Sequence, residues 1–344
     1  MDKIRIAHIG CGRVSGTHFA ALHHLHDKLE LVAVCDIVEQ KAADAAQRTG
    51  APPYTDYRRM LDMERPDVVT VATPSGLHPE MGIEAAERGI HVVSEKPLGC
   101  TLESADALID ACDRHRVHLF TVKQNRLNPT VQLLKRAVEN GRFGRINLAQ
   151  ANVFWFRDQA YYDQADWRGT WEFDGGAFMN QASHYVDLLY WLIGPVESVM
   201  AFTGTLERHI EAEDTGAAVL RFQNGAMASV NVTMLTCGGD LEGSITLLGS
   251  TGSARLAGPA LNVFERWELA DSSATDDHVS DANYSPDSVY GSGHLAYYRH
   301  VLEVLEGGAA PNPDGREGRK SLEIILAIYK AAREGVRVVL PLQT

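Results

Sequence analysis

No apolar run in this 344-residue chain approaches the roughly 20 residues that a membrane-spanning helix needs, which argues against a helical integral membrane protein. Met1-Asp2-Lys3-Ile4-Arg5 leads straight into an alternating strand pattern, without the apolar segment and cleavage site of a secreted precursor, so a cytoplasmic protein is expected. Cysteine is sparse. Cys11, Cys35, Cys100, Cys112 and Cys237 include no CxxC pair, and an odd count of 5 cannot close fully into internal disulfides, so reduced thiols are expected. Positive charge is short as well. With 32 Lys and Arg against 45 Asp and Glu, the net charge of -13 would repel a nucleic-acid backbone, and a small anionic ligand would need cations gathered at its own site. The chain has no internal repeat and no low-complexity tract. His23, His24 and His26 form a short cluster without an acidic or cysteine partner at matching spacing; it reads as a solvated helix end, and no metal is expected.

What remains is the composition of a globular protein, 45% apolar and 22% charged, long enough for two domains. From Ile4 to about residue 122, strands and helices alternate: strands at Ile4–Ile9, Leu29–Cys35, Asp67–Ala72 and Ile90–Ser94, and helices at Ser15–His26, Glu39–Thr49 and Pro79–Arg88. The run Asp67-Val68-Val69-Thr70-Val71-Ala72 suits a parallel strand covered on both faces. This pattern predicts a doubly wound α/β domain of the Rossmann kind over 1–122. After residue 123 an amphipathic stretch, Asn128–Asn140, precedes strands at Asn147–Phe156, Val196–Thr205, Gly216–Phe222, Ala226–Leu235 and Ser244–Leu248. Asn224-Gly225 and the turn at 249–252 read as hairpins, so 123–344 is expected to be an α+β domain on a large, mostly antiparallel sheet, with a closing helix over 318–334. Ala270–Ser288, rich in Asp and Ser, reads as a loop, and Asp271–Asp281 within it as a solvated segment rather than a cation site.

The first strand runs into Gly10-Cys11-Gly12-Arg13-Val14-Ser15, a turn that opens a helix. Gly10 permits the tight turn, Gly12 lets the backbone approach a pyrophosphate, and Ser15 allows close helix packing, with Arg13 and Val14 at the helix entrance. Asp36 ends the next strand at the distance expected of a ribose-binding acid, and the neighbouring Ile37 offers no guanidinium to a 2′-phosphate, so NAD is favoured over NADP. Two further segments follow strands, where open α/β sheets place ligands: Thr73-Pro74-Ser75-Gly76-Leu77-His78 and Glu95-Lys96-Pro97. A third stretch, Trp167 to Asp187, contains Gly175-Gly176 and then His184. A helix from about Ala177 would put Asn180, His184 and Asp187 on one face, and His184 is a candidate for acid or base work.

Together these motifs resemble the Gfo/Idh/MocA oxidoreductases over nearly the full chain. The resemblance implies that Lys96 of Glu95-Lys96-Pro97 and His184 flank the carbon that exchanges hydride, and that Thr73, Pro74, Ser75, His78 and Glu95 join Gly10, Gly12, Arg13, Val14, Asp36 and Lys96 around the cofactor. Many members carry Asp where this chain has Asn180. Thr73 to Pro79, Val122-Lys123-Gln124-Asn125-Arg126 and Trp167 to Asp187 further resemble the bacterial UDP-N-acetyl-2-amino-2-deoxyglucuronate 3-dehydrogenases. That likeness implies a UDP-sugar uronate substrate, a homotetramer, and a product handed to a PLP aminotransferase in lipopolysaccharide O-antigen sugar synthesis. Lys123, Arg126 and Arg168 would then supply the local cations, and Asn180 and Gln181 would bond sugar hydroxyls or the acetamido group, beside Lys96 and His184. His184 is expected to act as base and, with Asn180 offering it no carboxylate, to titrate near or below the unperturbed value of about 6.5, with Lys96 to orient and relay.

Overall fold

The computed structural model describes residues 3–271, 276–286 and 290–343. Its contacts divide the chain into two compact units: Met1–Lys123 with His294–Arg319, and Gln124–Gly293 with Lys320–Thr344. The sequence boundary at 122/123 lies one residue away, but 294–319 groups with the first unit instead of staying in 123–344.

The first unit is built on six strands, β1 (Ile4–Ile9), β2 (Leu29–Cys35), β3 (Pro53–Tyr54), β4 (Val68–Val71), β5 (His91–Ser94) and β6 (Leu119–Thr121), in the order β3-β2-β1-β4-β5-β6. Every pairing is parallel. Val68, Val69, Thr70 and Val71 of β4 are all buried, as the β-branched run demands of a strand covered on both faces. Helices α1 (Ser15–His24), α2 (Glu39–Thr49), α3 (Tyr57–Glu64), α4 (His78–Glu87) and α5 (Leu102–His115) connect the strands. Asp56 caps α3 by accepting from the Arg58 and Arg59 amides, and Thr101 caps α5 through the Ser104 amide. The strand order reverses at β1 and β4, and it is there that such sheets bind ligands.

In the second unit, α6 (Pro129–Glu139), β7 (Ile146–Phe154), α7 (Gln159–Tyr162) and α8 (Ser183–Ile193) precede β8 (Val196–Gly204), β9 (Thr215–Phe222), β10 (Met227–Thr233), β11 (Glu242–Gly249), β12 (Gly252–Ala257) and β13 (Val263–Leu269). After α9 (Gly293–Leu305) and α10 (Gly315–Glu334), β14 (Val338–Val339) completes an eight-stranded sheet ordered β13-β12-β11-β7-β10-β9-β8-β14. Only β7 and β10 pair in parallel among these neighbours. Both expected hairpins form, β9–β10 and β11–β12. Residues 276–282 form a short 3-10 helix inside the expected loop, whose positions 272–275 and 287–288 lie outside the described residues. The closing helix begins at Gly315, three residues before the expected start. All five cysteines are free thiols, and no described helix is long and apolar enough to cross a membrane.

Candidate active site

Gly10 closes β1 at φ +95°, and a Cβ there would lie 2.4 Å from the Ala72 carbonyl oxygen, so only glycine lets the end of β1 approach the end of β4. Around Gly12 nothing lies within 4 Å of an added Cβ, which leaves open space over the turn. Asp36 is anchored beside it, Oδ2 accepting the Cys11 amide and Oδ1 the Val38 amide, each at 2.9 Å. Each oxygen keeps a further lone pair for a ribose hydroxyl. Ser15 is buried and donates to the Gly12 carbonyl at 2.6 Å, while Arg13 is exposed and Val14 half-buried. No side chain caps α1 and no acid stands in its first turn, the state in which a helix N-terminus receives a pyrophosphate. The turn, the open space and the anchored acid fit NAD.

Thr73, Pro74 and Ser75 follow β4, and Glu95 and Lys96 follow β5, so the structure brings these segments to one edge of one sheet. His78 is buried between them, Nδ1 2.8 Å from the Pro97 carbonyl and Nε2 2.9 Å from that of Thr73. Burial lowers its pKa against the two carbonyls, and the neutral ring donates its one N–H to one of them while lying packed between both turns. Glu95 is buried, accepting the Lys96 amide on Oε2 at 2.9 Å and facing His18 Nε2 from Oε1 at 3.1 Å. Lys96 is half-buried, and Lys123, just past β6, is buried. Among the described residues, His18, Glu95 and His294 bring three metal-type donor atoms within 4.8 Å of one another, a grouping the sequence reading did not contain. His23 and His26 instead stack on each other at 5.8 Å.

In the second unit, Arg126 and Asp187 form a buried two-pronged ion pair, Nε to Oδ2 and Nη2 to Oδ1, both at 2.8 Å. The Arg126 guanidinium also lies 5.4 Å from the Trp191 ring centre. His184 is in the first turn of α8, with Nε2 3.3 Å from the Gln124 side-chain nitrogen. An amide can donate to a neutral ring or accept from a protonated one, so Gln124 can follow His184 through a proton transfer. Gln124 stood within the quoted motif but was not among the expected site residues.

The expected helix from Ala177 does not form; α8 starts at Ser183, and Asn180 sits in the preceding turn rather than on a face with His184 and Asp187. Asn180 and Gln181 each bond a carbonyl four residues back, but the N–H of Ala182 bonds that of Ala177, five back, so the ladder slips before α8. Glu213 and Tyr329 take the backbone N–H groups of 176–179: the Glu213 carbonyl accepts from Ala177, its carboxylate from Phe178, and the Tyr329 hydroxyl from Gly176 and Met179. A Cβ on Gly176 would lie 1.7 Å from Glu213 Oε2, which accounts for the second glycine of the pair. Asn180 donates to Asp174 at 2.6 Å, and Gln181 is buried. Arg168 lies against the Tyr161 and Trp167 rings at 4.4 and 4.6 Å, donates to the Tyr161 hydroxyl at 2.7 Å, and has a buried Nε with no hydrogen-bond partner among the described residues.

Two family models match the chain, the NAD-binding Rossmann fold of an oxidoreductase family over residues 4–123 and the C-terminal alpha/beta domain of the same family over 135–340. The WlbA dehydrogenase of Bordetella pertussis, crystallised with NADH and UDP-GlcNAcA, is 53% identical with a TM-score of 0.96 and 99% of each chain covered. Its counterpart from Chromobacterium violaceum, in complex with the same two molecules, is 52% identical with a TM-score of 0.94, covering 99% of this chain and 97% of that one. A D-apiose dehydrogenase of Paraburkholderia graminis is 27% identical over 97% of this chain and 89% of its own length.

Proposed function

The chain belongs to the Gfo/Idh/MocA oxidoreductase family and is an NAD-dependent sugar dehydrogenase, and from that premise we propose that it oxidises the C3 hydroxyl of UDP-N-acetyl-2-amino-2-deoxy-D-glucuronate to the 3-keto sugar. The observation that carries the proposal is the 53% identity, across 99% of both chains, to a dehydrogenase crystallised with NADH and that sugar nucleotide. Bound NAD supplies the hydride acceptor. In this reading His184 takes the hydroxyl proton, Gln124 serves the ring nitrogen before and after, and Lys96 holds and polarises the oxygen. Asp174 orients Asn180, whose amide, with Gln181, is assigned to the sugar substituents. The 3-keto product suits a PLP aminotransferase, in the cytoplasm and on the way to O-antigen sugars.

An anionic substrate also answers a local question in this acidic chain. Arg126 already has Asp187 in its fork, whereas the buried Arg168 Nε lacks a partner, a state that costs about 1–3 kcal/mol until an acceptor arrives. NADH formation with the uronate nucleotide should therefore exceed that with UDP-N-acetylglucosamine by about 2–5 kcal/mol in transition-state binding. Equal kcat/KM for the two would refute the uronate assignment, and turnover of a free polyol or hexose in place of both would move the enzyme to another sugar.

A further inference from the structure

Within the first unit a run of buried polar groups ends on the backbone of Lys96. Thr70 Oγ1 on β4 lies 2.9 Å from the Tyr298 hydroxyl on α9; that hydroxyl lies 2.9 Å from His18 Nδ1 on α1; His18 Nε2 lies 3.1 Å from Glu95 Oε1; and Glu95 Oε2 accepts the Lys96 amide at 2.9 Å. Thr70, Tyr298 and His18 are fully buried, and Glu95 nearly so. The second and third groups are separated by 280 residues in sequence, so the run is a product of the fold.

Chemistry sets the hydrogen-bond direction at the Glu95 end of the run. Burial pulls the Glu95 carboxyl up, but the hydrogen bond from His18 leads the contacts that outweigh it and hold the group well below the usual carboxylate range. An ionised carboxylate only accepts, so Nε2 of His18 carries the proton and donates to it. Burial pushes the Tyr298 phenol up, so it stays protonated and can donate to His18 Nδ1 or accept from it, with Thr70 Oγ1 as its other hydrogen-bond partner. His294 faces the His18 ring at 5.0 Å and burial brings it down to about 3, so it adds a neutral neighbour. With both His18 nitrogens and both Glu95 oxygens engaged, the three-donor grouping is a hydrogen-bond network first. His8 extends it toward the cofactor turn, its ring 5.3 Å from His18 and its Nε2 3.0 Å from the Gly10 carbonyl.

We propose that Tyr298, His18 and Glu95 are positioning residues that hold the backbone of Lys96 in register with α1, the helix opened by the dinucleotide turn. The proposal rests on the reading of Lys96 as a catalytic residue. Burial without pairing would make each member costly, whereas the completed run pins one peptide group at the end of β5.

The test is amide hydrogen exchange at Lys96, resolved by fragmentation mass spectrometry on the full-length apo chain, together with steady-state kinetics. In His18→Leu the Lys96 amide should exchange at least about tenfold faster while core strands keep their protection. In the same variant kcat should fall about tenfold or more with KM for the sugar nucleotide unchanged, the split expected when only the geometry of the reacting group is lost. His18→Gln, whose amide still donates to Glu95, should recover most of both. Tyr298→Phe deletes a single hydroxyl and should give a smaller loss of the same kind, which keeps the test informative if His18→Leu fails to fold. In the background of Lys96→Met, His18→Leu should slow turnover no further. Wild-type exchange and kcat in the folded variants, or full additivity with Lys96→Met, would overturn the relay. If Lys96→Met itself turns over normally, the catalytic reading of Lys96 fails, while the exchange data still decide whether the run holds its backbone.

Discussion

Asp36 is held by two backbone amides on the carboxyl side of β2, with Ile37 beside it 85% exposed and no cation supplied by that neighbour. A 2′-phosphate would meet a fixed negative charge there. Wild-type protein should bind NAD much more tightly than NADP in a fluorescence titration, and Asp36→Ala should narrow the gap by roughly 10- to 100-fold, the scale of a lost hydrogen bond to a charged group. Equal affinity of the wild type for both would end this account of cofactor choice. His184 and Lys96 separate by the form of the pH profile. His184→Asn should lower kcat by about 10²- to 10⁴-fold and abolish the acidic limb, whereas Lys96→Met should lower kcat and keep the limb. The opposite pattern makes Lys96 the base. Gly10, Gly12, Asp36, Glu95 and Lys96 were legible in the sequence because each lies on the turn directly after a strand, where local pattern carries the information. His18, Gln124 and Tyr298 were not, because what makes them matter is a partner far away in the chain, as with the 280 residues between His18 and Tyr298.

At the scale of elements, helix α8 begins later than the sequence pattern suggests. Residues 177–182 carry a helix-compatible sequence, and Glu213 and Tyr329 satisfy the N–H groups of 176–179 as caps would, but the N–H of Ala182 bonds the Ala177 carbonyl five residues back and the regular helix starts only at Ser183. Strands β9 and β10 were readable from their alternation, while the two-residue β3 and β14 are too short to show any period. Burial pushes Glu213 up to about 7, against the hydrogen bonds from Phe178 and Tyr329 that favour its ionised form. The folded state therefore keeps a proton that the unfolded chain has released between about 4.5 and 7, so stability contributed by this group is full below about 4.5, falls across that window and is level above it. The whole effect is roughly 2–4 kcal/mol. Glu213→Gln lacks the proton and should flatten this part of the curve, so that the change in Tm from pH 5 to pH 8 is smaller than in wild type. Parallel curves for the two proteins would show that Glu213 does not titrate in this window.

At the scale of the whole molecule, the eight-stranded sheet turns a face outward that a solitary soluble chain has little reason to keep. Met200, Phe202, Val219 and Met227 are exposed by 55, 84, 56 and 47%, and strand register sets Met200 opposite Val219 and Met227 opposite Leu148. Polar side chains share this face: the exposed Arg221 stands opposite Met227, Asn231 pairs with the buried Asn152, and Asn152 with the buried Ser244. Exposed apolar side chains gathered on one sheet face suit an interface, and a stable one must bury about 1,000 Å² or more. The homotetramer implied by the family resemblance would cover it. Each chain brings a net charge of -13, so association works against long-range repulsion, and the apolar face has to overcome it. Two outcomes follow for light scattering coupled to size exclusion. Wild type should run as a tetramer whose dissociation at low protein concentration is suppressed by salt, because screening weakens the repulsion while leaving the apolar contact intact. Phe202→Asp combined with Val219→Lys should give a smaller species at the same concentration with an unchanged far-UV spectrum, since both side chains already face solvent in the single chain and their replacement leaves its core untouched. A monomeric wild type at micromolar concentration, or a tetramer indifferent to both substitutions, would place the interface elsewhere or remove it.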